Sequence, residues 1–143
     1  ADDLDIQTND WDSIILEKCN MFPDDVYLIA PDDGMRAMAT HFFVSRKVVE
    51  IMGFLQPPWF VADFGDMWYT EVFQNIGRFI CSYDVRFIHM HYSYGKSDKD
   101  ETYEDASKRR EDVLDFRDAE HPYNKYEHIR QKQIQDLNKR IIK

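Results

Sequence analysis

Four groups of residues in this chain combine types and spacings that could do chemistry. Asp2, Asp3 and Asp5 open the sequence. Carboxylates placed this closely in a loop at a strand end can converge on one hard cation, because oxygen ligands suit Mg2+ or Mn2+. The second group is Ile88-His89-Met90-His91. On a strand, residues two apart share a face, so both imidazoles could serve one site as metal ligands or as hydrogen-bond donors to a phosphate. In the third, Ala62-Asp63-Phe64-Gly65-Asp66-Met67-Trp68, two acids lie three apart at the start of a predicted helix. They share one side of its first turn, where either could act as a general base and Trp68 or Trp59 could wall a sugar or a base. The fourth comprises Thr40-His41-Phe42 and Asp32-Asp33-Gly34. These read more simply as a hydrogen-bonded histidine among apolar residues and as a turn with an acidic tip.

Each group also has a plain structural reading: an acidic surface loop, satisfied core histidines, or acids favoured by a helix dipole. Cys81 has no histidine neighbour in sequence to activate it as a nucleophile. No phosphate-cradling Gly-rich loop, Gly-x-Ser-x-Gly elbow or zinc-finger spacing occurs.

The elements that must position these residues follow from periodicity and punctuation. The pattern predicts a helix over 11–22 with Asp10 as its cap, a buried strand over 26–30, and the turn Pro31-Asp32-Asp33-Gly34. A strand over 38–44 leads to a helix from Ser45 that stops at Gly53, and Gln56-Pro57-Pro58-Trp59-Phe60 is a loop. A helix over 63–76 ends at Gly77, and two strands, 78–81 and 85–91, flank the turn Ser82-Tyr83-Asp84. Two charged helices, 101–116 and 124–142, are split at His121-Pro122. The fold class is α/β, or α+β if the strands pair antiparallel.

Composition bounds the function. With 143 residues the chain fits one domain, and its 3 Trp, 8 Tyr and 10 Phe argue against disorder. The net charge is -9, all of it in residues 1–95, while residues 96–143 balance 12 cationic against 12 acidic side chains. Such an acidic part repels a phosphate backbone, so nucleic acid is not an expected partner. No apolar run is long enough to span a membrane, the acidic start is not a signal peptide, and Cys19 and Cys81 read as thiols of a reducing compartment. A cytoplasmic location is therefore expected.

The order of the motifs adds to their separate readings. Asp2-Asp3-Leu4-x-x-x-Thr8-x-x-Trp11-Asp12 is followed by Asp32-Asp33-Gly34, Ala39-Thr40-His41-Phe42, Gly53-Phe54, Pro57-Pro58 and Ala62-Asp63-x-x-Asp66-x-Trp68. His89-x-His91, Gly95-Lys96 and Asp100-Glu101-Thr102-Tyr103 complete the series. Over about residues 1–105 this succession resembles the C-terminal half of nucleotide-sugar glycosyltransferases of the GT-A type, in particular a family-2-like group of bacteria and phages. The resemblance implies a Rossmann-like α/β catalytic part over 1–100 and a charged helical extension over 101–143. It also implies a nucleotide-binding βαβ portion ahead of the opening aspartates, so the chain is expected to be a fragment lacking that part.

By the same resemblance Asp3, then Asp5 and Asp2, would hold Mn2+ or Mg2+ on the donor's diphosphate, with His91 completing the metal site. His89 and Trp68 would contact the donor, and Asp66, then Asp63, would be the base that takes a proton from the acceptor hydroxyl. The C-terminal helices would offer a surface for oligomerisation. Two other classes fit the same residues: a metal-dependent phosphoesterase or nuclease, and a non-catalytic acidic interaction module.

Overall fold

A computed structural model of the chain describes residues 4–34, 38–60, 64–90, 95–96, 101, 104–105 and 115–142. Four strands, β1 (Leu4–Ile6), β2 (Leu28–Asp32), β3 (Phe43–Val44) and β4 (Phe79–His89), form one sheet in the order β1-β4-β2-β3. β4 runs parallel to β2 and antiparallel to β1, and β3 is antiparallel to β2. The helices are α1 (Trp11–Cys19), α2 (Arg46–Met52), α3 (Gly65–Asn75), α4 (Pro122–Lys125) and α5 (Glu127–Asn138). The class is mixed α/β.

Alternation along residues 26–30 splits the core into two layers. Val26, Leu28 and Ala30 meet Val48 and Met52 of α2, Trp68, Tyr69, Val72 and Phe73 of α3, and Ile134 and Leu137 of α5. Tyr27 and Ile29 face the other way, joining Val85, Phe87 and Ile15 of α1, with Leu4 and Trp11 packed against them. A sheet whose central strand is buried on both faces explains the continuous apolar run that announces β2.

Several boundaries differ from expectation, each for a local reason. β2 begins at Leu28, because the Val26 amide donates to the Asp24 carboxylate at 3.0 Å instead of to a strand. It continues through Pro31, which has no N–H to give. β3 pairs only with Leu28 and Ile29, so Pro31 meets no strand on that side. The predicted 38–44 strand is reduced to β3, since the Ala39 amide donates to the Thr70 hydroxyl of α3 at 2.9 Å. α3 starts at Gly65 because Phe64 before it lies in the left-handed region at φ 71°. Asp10 likewise has φ 53° and its side chain does not cap α1. The strands predicted either side of Ser82-Tyr83-Asp84 are one strand, β4. Its pairing to β2 jumps from Pro31–Ser82 to Asp32–Arg86, which puts the predicted turn inside an irregularity of the ladder. The α2 boundaries agree with expectation: Ser45 caps the helix by accepting from Val48 N at 3.1 Å, and Gly53 closes it at φ 85°.

The helix predicted over 101–116 lies largely outside the described residues. The one that follows is built into the core. Gln133 accepts from Trp68 Nε1 at 2.9 Å and donates to the Met52 carbonyl at 2.7 Å, stitching α5 to α3 and α2. Arg130 is buried, ion-paired to Glu71 at 3.0 Å and to Glu127 at 2.7 Å, and it lies over the rings of Trp68 and Tyr123. This part of the charged helical extension thus shares one core with α2 and α3. Asp24 adds a second tie: its buried carboxylate takes Arg78 Nη2 at 2.8 Å and the Ile142 amide at 2.9 Å.

Candidate functional site

Parallel strands deliver their carboxyl ends to the same edge of a sheet, the edge where open α/β sheets place their ligands. Here that edge carries Asp32 at the end of β2 and His89 at the end of β4. The antiparallel register sets Leu4 opposite His89, so β1 begins at this edge as well. Residues 38–42 reach the same place, held to α3 through the hydrogen bond from Ala39 to Thr70. Thr70 and Asp66 are four apart on α3, one turn on one face. Asp66 therefore lies about 6 Å along the helix axis from the residue that anchors this segment.

The two acids of the β2 turn do different work. Asp32 accepts from the Gly34 amide at 3.2 Å, and Gly34, at φ 87°, supplies the left-handed conformation the turn needs. Asp33 turns inward: its side chain is only 4% exposed, accepts the Thr40 hydroxyl, and lies 3.2 Å from His41 Nδ1. A carboxylate accepts only, so His41 donates to Asp33 through a protonated Nδ1. The His41 side chain is 15% exposed, and its ring meets that of His89 edge to face at 4.8 Å.

The residues expected to act fare differently. Asp66 is half-buried in the first turn of α3, where its Oδ1 accepts from Met67 N at 2.8 Å. His89 belongs to the edge described above. Asp5 does not join it. Leu4 is directly opposite His89, so their side chains share a face, and Asp5 next to Leu4 points to the other face, beside Gln7, which donates to it at 2.5 Å. Asp5 and His89 thus lie on opposite faces of the sheet. Trp68 is also reassigned: it is 0% exposed, with its indole N–H bonded to Gln133, and so it belongs to the core and not to a donor-binding wall. Trp59 is stacked on Tyr126 at 4.6 Å. Asp2, Asp3, Asp63 and His91 lie outside the described residues.

Among the described residues no group of three His, Cys, Asp or Glu side chains is arranged to hold a metal ion. Of the set expected for Mn2+ or Mg2+, Asp5 alone lies among the described residues. The pair that sequence reasoning undervalued is Asp33 and His41. They fall in two different predicted elements, the turn 31–34 and the strand 38–44, and only the tertiary fold brings them together. Comparison of the chain with protein-family models, with curated proteins and with solved structures found no match.

Proposed function

We propose that this chain is a catalytic part of a GT-A type glycosyltransferase, moving a sugar from a nucleotide-sugar donor to an acceptor hydroxyl in the cytoplasm. The observation that supports it most is the grouping at one sheet edge of His41, His89 and the start of α3 with Asp66. A donor's diphosphate is anionic and rich in acceptor oxygens, and imidazoles at the edge where the parallel strands end suit it. Asp66 has the chemistry of the base that removes the acceptor's proton as its oxygen attacks the anomeric carbon. It stands just after Phe64, a bulky residue at φ 71°, and such strain collects where a side chain must be aimed.

The test is thermal unfolding with UDP-, GDP- and dTDP-sugars in the presence of Mn2+. A donor at 100 times its Kd contributes about 2.7 kcal/mol, equivalent to a rise in Tm of roughly 5–10 °C for a chain of this size. No rise with any donor overturns the proposal. Hydrolysis of bis(p-nitrophenyl) phosphate without a donor effect would replace it with the phosphoesterase reading.

A further inference from the structure

The aromatic cluster where α3, α4 and α5 meet holds a buried titratable side chain with no part in the site, His121, which is 1% exposed. Its Nδ1 accepts from the Tyr123 amide at 3.2 Å, capping α4, so the neutral ring carries its proton on Nε2. That N–H is buried and finds no acceptor among the described residues. The ring meets Phe64 edge to face at 4.8 Å and Phe116 at 5.4 Å, and Phe116 in turn stacks on Phe64 at 5.5 Å. Residues 115–121 thus lie as a strap against Phe64. Asn124 ties the strap down, its Nδ2 donating to the Phe116 and Asp118 carbonyls at 2.7 and 2.8 Å. Phe64 is the residue at φ 71° whose carbonyl takes the Trp68 amide at 2.9 Å to start α3, just ahead of Asp66.

A proton on Nδ1 undoes this arrangement. The cap becomes a donor facing a donor, neither ring N–H has an acceptor, and an unpaired charge sits among phenyl rings, where burial is costly. The charged groups of the surrounding elements are already engaged. Asp115 pairs with Arg117 and Glu120 with Lys125, Asp118 takes the Glu120 amide, and Glu71 and Glu127 share Arg130. Asp66 takes the Met67 amide. Asp115 is near enough to feel a charge on His121, but it is exposed, where solvent and salt screen the attraction. We propose that His121 is a proton-operated latch: neutral, it fastens the 115–121 strap over Phe64 and steadies the first turn of α3; protonated, it lets the strap go. The inference deepens the transferase reading by placing the element that carries Asp66 under regulation by pH, and it rests on that reading only for what the regulation controls.

The test needs no donor and no turnover. The full chain, labelled with 15N, is followed from about pH 8 to about pH 5, the range in which histidines titrate. The readouts are the His121 ring nitrogens and the hydrogen exchange of the Tyr123 and Trp68 amides. Because the fastened strap accepts only neutral His121, its opening should grow by up to about tenfold for each unit of pH lost. Protection of both amides should fall to match, while the Leu28 amide, bonded to the Arg78 carbonyl in the sheet, keeps its own. His121→Asn supplies a capping acceptor that does not titrate, and should hold both amides steady over the same range. A wild-type His121 that stays unprotonated to the acid end overturns the proposal, and so does loosening confined to Tyr123. An equally steep loss of protection in His121→Asn overturns it as well. The first two are read on the unaltered protein, so misfolding of the variant cannot hide them. Acid release of the strap in a chain whose Tm no nucleotide sugar raises would sink the transferase reading alone. A donor-raised Tm with His121 silent would sink the latch alone.

Discussion

Asp33 and Asp66 are both acids at the edge where β2 and β4 end, yet their surroundings assign them different tasks. Asp33 is enclosed and already engaged with Thr40 and His41, so its carboxylate orients other groups. Asp66 is half-buried at a helix start, where one oxygen is steadied by Met67 N. Asp66→Asn preserves the shape and removes the base. In a transferase it should lower kcat about 10²- to 10⁴-fold, the usual contribution of a general base, and leave the donor-induced rise in Tm intact. Equal losses in both would make Asp66 a binding or folding residue. Trp68→Ala removes a fully buried ring and orphans the Gln133 side chain. Chemical denaturation should show a loss of about 3–5 kcal/mol, and a loss below about 1 kcal/mol would contradict the core assignment.

Among the elements, the junction of β2, β4 and the C-terminal segment depends on Asp24. Burial pushes its carboxyl group upward. The amides of Ile142 and Val26 and the Arg78 guanidinium outweigh burial and hold it below the ordinary aspartate range. A group depressed in the folded state contributes stability that is fully present above its unfolded value of about 3.9 and is lost as pH falls toward the folded one. Tm should therefore fall as pH drops below about 4, and Asp24→Asn should flatten that part of the profile. A profile of the same steepness in the variant would move the acid sensitivity elsewhere. Asp24→Ala leaves Arg78, itself mostly buried, without its partner, and should cost about 3–5 kcal/mol, the penalty for breaking a buried pair. The Ser45 cap is a smaller and more local matter: Ser45→Ala should cost about 1 kcal/mol, read from the denaturation midpoint.

For the molecule as a whole, the charged C-terminal segment is part of what keeps the sheet and helices folded. Leu137 is fully buried, Ile134 nearly so, and Gln133 links two other helices. Deleting residues 127–142 would expose α3's inward face, including Trp68, and should abolish cooperative unfolding in circular dichroism and near-ultraviolet spectra. Retention of a sharp transition would show that this layer is dispensable. No helix among the described residues is long and apolar enough to cross a membrane.

Sequence alone determined what depends on neighbours along the chain. The Ser45 cap, the stop at Gly53 and the run that becomes β2 follow from local sterics and periodicity, and so did the mixed α/β class. Asp66 and His89 stood out because strand ends and helix starts are where such side chains can be presented. Tertiary structure decided everything that depends on register or on contacts between distant segments. A one-residue step in a strand reverses a side chain, so only the Leu4–His89 pairing could place Asp5 on the opposite face. Burial of Arg130 and Gln133 required rings and carbonyls from α3 and α2, which no charge count along the tail could reveal. The Asp33–His41 pair joins the turn after β2 to the segment 38–42, and the His41 ring contact with His89 joins segments 48 residues apart.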